Sequence, residues 1–320
     1  MNTQTKYVMS HLSQRNTTGG IGDRFRSIVS AMAISQMTNR EIRIDWESPN
    51  IDSFIDIRNR STCGCDDILI ESDSLIGCAF ENDLIQKITL QKPDDLWTKQ
   101  YLLLCTNVNF VKCLSCNPHL TTPSYETWIK SLYKRVYKDI LIPKDTLLQR
   151  VETIRNQAGG RKILALQVRT GDSAMGVHQY KDGTPSNNMI AQNDLETLVR
   201  ILCAKINRIL TTHDMEMAIF ITSDNNVTYD LVHKHLPKIT LMKNEFEACH
   251  VDFSKDENGI LNAFSDHMLL SQCDIMVRSE WSGFSESAAV ICDAKEIYSY
   301  TGNGTMKKFD LTSSILNTPN

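Results

Sequence analysis

The chain lacks most of the features that would assign its class directly. Its 320 residues contain no apolar run long enough to span a bilayer, and Met1-Asn2-Thr3-Gln4-Thr5-Lys6 lacks the apolar core of a secretory leader. A soluble, cytoplasmic protein without an integral membrane segment is therefore expected, and the Asn-x-Ser/Thr matches at Asn16, Asn59, Asn226 and Asn303 are discounted as glycosylation acceptors. There is no basic surplus: 34 Lys and Arg stand against 38 Asp and Glu, a net charge of -4, so no whole face is available to displace the counterions of a nucleic acid. No Asp-x-Asp occurs, which removes the obvious carboxylate pair for clamping a metal ion on a diphosphate. The spacing Gly-x-Gly-x-x-Gly is missing too, and with it the main support for an NAD-dependent oxidoreductase. Neither a Ser-His-Asp nor a Cys-His constellation has a local frame, so a hydrolase has little to stand on. Repeats and low-complexity segments are absent. What remains, with 41% hydrophobic and 22% charged residues, is an ordinary globular chain long enough for two cores.

Cysteine, by contrast, is plentiful. Six of the ten crowd between Cys63 and Cys116, including Cys63-Gly64-Cys65 and Cys113-Leu114-Ser115-Cys116. Two close pairs can bind zinc, but the long stretch between them does not suit a compact ribbon; free thiols are expected, with one or two disulfides as the alternative.

Taken in order, Lys6 to His11 reads as a strand, and a glycine-rich loop through Gly20-Ile21-Gly22-Asp23 follows. From Arg24 to Arg40 the apolar residues Phe25, Ile28, Val29 and Met32 recur at helical spacing, after which Glu41 to Trp46 alternates like a strand. This is a βαβ unit with its loop at the carboxyl end of the first strand, where open α/β sheets bind ligands. Residues from Ile51 to Pro143 are harder to order. Gly159-Gly160 reads as a hinge, which divides the chain into domains 1–158 and 159–320. Beyond it, apolar strands are expected at Ile163 to Val168, Met217 to Thr222, Ile239 to Met242, Ile275 to Val277 and Glu296 to Tyr300. Helices alternate with them at Asp194 to Leu210, capped by Asp194, at Val227 to His235, at Ile260 to Ser271 and from Glu286 to Cys292. Strands alternating with helices imply a doubly wound parallel sheet, and two Rossmann-like halves would leave a cleft between them.

Polar groups gather at the strand ends of the second half. Arg169-Thr170-Gly171-Asp172 follows a buried strand, and a guanidinium fork there suits a diphosphate; an ion pair between Arg169 and Asp172 is the plainer alternative. Thr222-Ser223-Asp224-Asn225-Asn226 offers short side chains to a ribose or phosphate, or simply makes the turn. Ser282-Gly283-Phe284-Ser285 presents hydroxyls and backbone N–H groups at a helix start, where an anion is favoured, although Ser282 and Ser285 alone would also serve as caps. Asp266, in a largely apolar helix, either faces solvent or accepts paired donors such as the N1 and exocyclic amine of guanine. His178 and His267 show no metal-binding pattern, and His233 and His235, two apart, lie on different helix faces.

Together these stretches resemble a family. Gly20-Ile21-Gly22-Asp23 with the helix and Asn39 to Trp46 resembles the amino-terminal motif of bacterial nodulation fucosyltransferases and, more loosely, of protein O-fucosyltransferases. Val168-Arg169-Thr170-Gly171-Asp172 is similar to their second motif, and Asp266 to Asp274 with the Ser282-Gly283-Phe284-Ser285 turn to their third, also seen in α-1,6-fucosyltransferases. The resemblance implies a GT-B glycosyltransferase, two Rossmann-like domains facing across a cleft. It further implies a metal-independent, inverting transfer of fucose from GDP-fucose to a glycan or protein-linked hydroxyl, with no cofactor beyond the donor. By position, Arg169 would hold the β-phosphate, Asp266 would read guanine, Ser282 to Ser285 would bind phosphate, and Gly22 and Asp23 would face the sugar; Gly20, Asp172, Ser223 and Asp224 are further donor-binding candidates. Asp23 is the candidate base. Gln167 stands where the family commonly has histidine, and Thr170 where some members have a second arginine. Another nucleotide sugar, or a binding protein without turnover, are the alternatives those departures keep open.

Overall fold

The computed structural model describes residues 5–12, 20–61, 72–77, 82–93, 98, 100–171, 192–213, 216–245, 251 and 256–311. It divides into two units, Met1–Lys144 with Leu311–Asn320, and Asp145–Asp310.

In the first unit a four-stranded parallel sheet is built from β1 (Tyr7–Leu12), β2 (Glu41–Trp46), β4 (Ser72–Gly77) and β5 (Tyr101–Thr106) in the order β2-β1-β5-β4. The period-two pleat sorts β1 into two faces. Val8 and Leu12 are fully buried and Ser10 hydrogen-bonds Ser27 of α1 (Ile21–Thr38), whereas Met9 clusters with Leu103 and Cys105 on the opposite face. α1 buries Phe25, Ile28, Val29 and Ala31 completely, about 2 kcal/mol of transfer free energy for each larger side chain. It stops at Asn39, whose left-handed backbone (φ 51°) sends its N–H back to Ser35. The stretch that resisted ordering supplies the short antiparallel pair β3 (Ile55–Ile57) and β6 (Leu141–Pro143), strands β4 and β5, and helices α2 (Asn82–Leu90), α3 (Val111–Ser115) and α4 (Tyr125–Arg135). A π-helical turn at Val136–Ile140 follows α4, and Trp128 of α4 donates its indole N–H to Gln36 of α1.

The second unit carries β7 (Lys162–Val168), β8 (Met217–Ser223), β9 (Leu241–Met242), β10 (Ile275–Ser279), β11 (Glu296–Tyr300) and β12 (Met306–Lys308) in the order β12-β11-β10-β7-β8-β9. All pairs are parallel except β11 with β12. Helices cover both faces, so the central strands read as continuous apolar runs. Leu164, Leu166 and Val168 pack with Leu198, Val199, Leu202 and Ile206 of α6 (Gln192–His213), and Val232 of α7 (Thr228–His235) joins them. α8 (Glu257–Leu270) and α9 (Gly283–Ile291) complete the unit. Asp194 lies within the first turn of α6 and is not its cap, because the helix starts two residues earlier.

The division falls at Lys144/Asp145, upstream of the expected 158/159. The reason is α5 (Asp145–Asn156), which buries Leu147, Val151 and Ile154 and packs against α8 within the second unit. Gly159 and Gly160, with φ of 60° and 78°, make the tight turn from α5 into β7; they are not an interdomain hinge. Cys105, Cys113, Cys116, Cys203, Cys273 and Cys292 are free thiols, and Cys273 and Cys292 lie 3.9 Å apart. Cys63, Cys65, Cys78 and Cys249 lie outside the described residues. Among the described residues, no helix is long and apolar enough to cross a membrane.

Candidate functional site

In the second unit the chain runs from β7 outward to β8 and β9, then returns to place β10 on the other side of β7. The carboxyl ends of β7 and β10 are therefore a topological switch point, the position where open α/β sheets receive ligands. Arg169 follows β7 there. It does not stand alone: its Nη1 lies 3.1 Å from Oδ2 of Asp224, past the end of β8. The Asp224 carboxylate also accepts from Thr170 N (2.7 and 3.0 Å), Thr170 Oγ1 (2.9 Å) and Gly171 N (2.8 Å). Asp224 was expected to meet a ligand. The structure instead makes it a clamp, because both carboxylate oxygens are filled by the β7 turn and its side chain keeps only 4% of its surface. Arg169 retains 22%, enough to leave part of the fork outward. Its backbone N–H donates to the Tyr300 hydroxyl (3.3 Å), which in turn donates to the Gln167 carbonyl (3.1 Å), so the arginine is fixed from two strands at once. Burial pushes the Tyr300 phenol up, and it stays a neutral donor.

Ser223 is likewise committed locally. Its hydroxyl meets Thr228 Oγ1 (2.8 Å) and accepts from Asn225 N (3.0 Å), which is the turn alternative. Asp172 and His178 lie outside the described residues.

Ser282 is the N-cap of α9, accepting from Ser285 N at 3.4 Å. The Ser285 hydroxyl points inward to Gln167 Oε1 (3.0 Å), which also accepts from Ser279 N (3.1 Å). Beneath them Arg278, fully buried, donates to the Ser282 carbonyl (3.2 Å), Ser285 Oγ (3.3 Å) and Ser299 Oγ (3.0 Å). Both serines expected to face phosphate thus spend their side chains on shaping the turn. What the turn offers outward is backbone, since the N–H groups of Gly283 and Phe284 in the first helical turn have no intrahelical carbonyl to pair with. Phe284 sets its ring edge-on to His267 at 5.3 Å, and His267 Nε2 meets Ser287 Oγ at 2.8 Å. Burial depresses the His267 pKa to about 3, so it is neutral.

Asp266 is buried, which overturns the solvent-facing alternative. Its Oδ2 accepts from Thr222 Oγ1 (2.7 Å) and its Oδ1 from Asn244 Nδ2 (2.8 Å). Burial raises its pKa to about 6, with those two hydrogen bonds and the nearby Arg150 charge pulling the other way. One polar seam therefore runs along the sheet's carboxyl edge, from Asp266 through Thr222, Asp224 and the β7 turn to Gln167 and Ser285.

The first unit has its own edge. Gly20 is the N-cap of α1, Gly22 is buried, and Asp23 pairs with Arg26 at 2.8 Å with both side chains part-exposed. Arg24 is wholly buried, its Nη1 on the Leu12 carbonyl (3.2 Å) and its guanidinium 4.7 Å over the Trp46 ring. His11 and Asp45, register partners one residue short of the ends of β1 and β2, meet at 2.6 Å.

Sequence reading missed His11, Arg278, Tyr300 and Asn244. For Arg278 there was a signal, a lone cation ending the apolar run Ile275-Met276-Val277; for Tyr300 there was none, because a tyrosine closing a strand is ordinary. Among the described residues no group of three or more His, Cys, Asp or Glu is disposed to hold a metal ion.

No protein-family model and no curated protein sequence matches the chain. Solved structures do. The α-1,6-fucosyltransferase NodZ soaked with GDP-fucose superposes with a TM-score of 0.61 at 15% identity, over 96% of this chain and 99% of that one. NodZ from Bradyrhizobium gives 0.58 at 17% identity over the same shares. Arabidopsis thaliana FUT1, as a mutant in complex with GDP, gives 0.65 at 14% identity over 94% of this chain and 72% of that one. At these identities the likeness speaks for architecture, and it shows that the chain has the α/β, GT-B fold of these fucosyltransferases.

Proposed function

We propose that the protein is a glycosyltransferase that moves L-fucose from GDP-fucose to a hydroxyl of a glycan or glycoconjugate acceptor, inverting the anomeric centre and using no metal. The observation that carries this reading is Arg169, held by Asp224 and Tyr300 at the switch point of the second sheet, whose carboxyl edge also leads into the amino end of α9. The fold's likeness to fucosyltransferases solved with GDP or GDP-fucose supports the choice of donor.

In such a transfer the acceptor oxygen bonds C1 as the bond from C1 to the β-phosphate oxygen breaks, and the electron pair leaves with GDP. Negative charge grows on the β-phosphate. A guanidinium fixed before the reaction strengthens its hold on that charge in the transition state without reorganising, and removing one such donor costs about two to three powers of ten in rate. Gly283 and Phe284 N–H, at the positive end of α9, add to it. Asp266, carrying two internal donors, has lone pairs left for the N1 and exocyclic amine of guanine. In this reading Gln167, Ser223, Asp224, Ser282 and Ser285 act behind the ligand, holding the groups that touch it. Asp23 would have to leave Arg26 before it could take a proton.

A second reading, the same fold with a binding pocket and no turnover, is favoured by the internal use of Gln167 and Thr170. Calorimetric titration with GDP, UDP, ADP and NAD in EDTA separates the cases. Selective GDP binding followed by release of GDP from GDP-fucose supports the transferase; GDP binding without turnover supports the second reading; preference for UDP or NAD, or no binding, sinks the GDP-fucose assignment.

A further inference from the structure

The nucleotide reading leaves two buried sulfurs of the second unit without a role. Cys273 follows α8, just past the Ser271 cap and two positions ahead of β10, and Cys292 is the residue on which α9 ends. Nineteen positions apart in the chain, their sulfurs lie 3.9 Å from one another. Both thiols are free and buried, with 4% and 8% of their surface exposed. The sheet imposes this contact. β10 pairs with β11 so that Ile275 stands opposite Glu296, Asp274 N–H donates to the Ile163 carbonyl (2.9 Å), and Lys295 N–H donates to the Asp274 carbonyl (3.1 Å). The segments that lead into and out of the two strands are thereby held side by side, each with its cysteine. A carbonyl is also in reach of each thiol, that of Leu270 for Cys273 (3.1 Å) and that of Cys273 for Cys292 (3.5 Å). Bringing the sulfurs to the about 2.0 Å of a covalent bond is a side-chain rotation at the end of a helix.

We propose that Cys273 and Cys292 are a modification site, a thiol pair that hydrogen peroxide or a comparable two-electron oxidant converts to a disulfide within the folded protein. Cys292 reacts first. It is the more exposed sulfur, Asp293 beside it is exposed, and helix ends open more readily than helix centres. The hydrogen bond with Cys273 holds the Cys292 thiol below the usual thiol range, while that contact and burial push Cys273 up. The Cys292 thiolate attacks one peroxide oxygen, the O–O bond breaks, and hydroxide leaves to become water, giving a sulfenic acid. The Cys273 sulfur then attacks the Cys292 sulfur, the S–O bond breaks, and hydroxide departs as water with the Cys273 proton. Two thiols have given two electrons to the peroxide, and two waters are released. The new bond ties the end of α9 to the connection between α8 and β10. It closes a loop that contains Arg278 and the Ser282 turn, and it removes conformational freedom from the unfolded chain.

The test treats the full chain with hydrogen peroxide under native conditions, blocks the remaining thiols by alkylation, maps disulfides by mass spectrometry and records the thermal midpoint, for the wild type, C273S and C292S. Serine keeps a donor for the Leu270 and Cys273 carbonyls, so both variants should fold as the reduced wild type does. The oxidised wild type should yield a peptide pair joined through Cys273 and Cys292, with a midpoint raised by about 5 °C that dithiothreitol returns to its starting value. Neither variant should gain stability on oxidation, and C273S should halt at a Cys292 sulfenic acid that dimedone traps. A wild type in which both thiols stay open to alkylation overturns the proposal. So does a bridge from either residue to another cysteine, or oxidation of Cys292 to the sulfinic acid without a bridge. No step involves GDP, so either outcome leaves the nucleotide reading as it was.

Discussion

The carboxyl edge of the second unit's sheet is crowded with polar side chains that satisfy one another, whereas the first unit's edge carries, among the described residues, one His-Asp pair, one Asp-Arg pair and a buried arginine. Both edges arise from the same strand-helix-strand logic, but the second binds its loops together across four strands. Asp224 joins β8 to β7, Gln167 joins β7 to β10 and α9, and Tyr300 reaches from β11 back to β7. A site for a highly charged leaving group gains from such fixity, because donors already in place need not reorganise during the reaction.

The largest effect expected along this contrast is kinetic. Arg169→Ala should lower turnover of GDP-fucose by about two to three powers of ten while circular dichroism and the thermal midpoint stay near wild type; a variant as active as wild type would end the assignment of Arg169. Asp224→Ala should act through the fold instead. It strands the Thr170 and Gly171 N–H groups and removes the carboxylate facing Arg169, and denaturant unfolding should report a loss of about 3 kcal/mol; an unchanged midpoint would mean the clamp is dispensable.

Asp266 allows a sharper test, because its neighbour titrates in the opposite sense. Burial raises the Asp266 pKa to about 6, so between pH 4 and 6 the unfolded state gives up this proton first and stability falls as pH rises. His267, depressed to about 3, does the reverse: the unfolded chain takes up a proton as pH falls below 6.5, and stability falls with it. In the wild type the two contributions offset each other across that window. Asp266→Asn keeps the Asn244 contact through its carbonyl and can donate to Thr222 Oγ1, so the fold should hold. Relative to wild type, its stability should decline by about 1.4 kcal/mol per pH unit as pH drops from 6 to 4. Parallel stability curves for the two proteins would refute the shift. The smallest effect belongs to the cap: Ser282→Ala should cost about 1 kcal/mol and Ser282→Gly only a few tenths, read from thermal unfolding.

These contrasts also show what a sequence discloses. The strands of the second unit were legible because burial on both faces leaves continuous apolar runs such as Ile163 to Leu166, and α1 because its apolar stripe recurs at helical spacing. Residues 51–143 were not, since β4 and β5 are strands whose partners lie far along the chain and whose pairing no local pattern encodes. The site divided in the same way. Arg169, Asp266 and the Ser282 turn stood out by residue type, yet type could not say which side chains face outward. Asp224, Ser223 and Ser285 are turned to neighbours in the structure, and only the third dimension shows those neighbours. The domain boundary went astray for a related reason: Gly159-Gly160 signals a turn, but whether a turn separates cores depends on what α5 packs against.

Tyr300 leads to one further consequence, in the order of synthesis. Its hydroxyl accepts from the Arg169 backbone 131 positions earlier in the chain. The loop bearing the arginine therefore leaves the ribosome long before the strand that pins it exists, and β7 and β8 can pair while that loop is still held from one side only. Nascent chains ending before Glu296 would carry Arg169 and Asp224 but not the finished constraint, which makes β11 the step at which the growing protein acquires its completed edge.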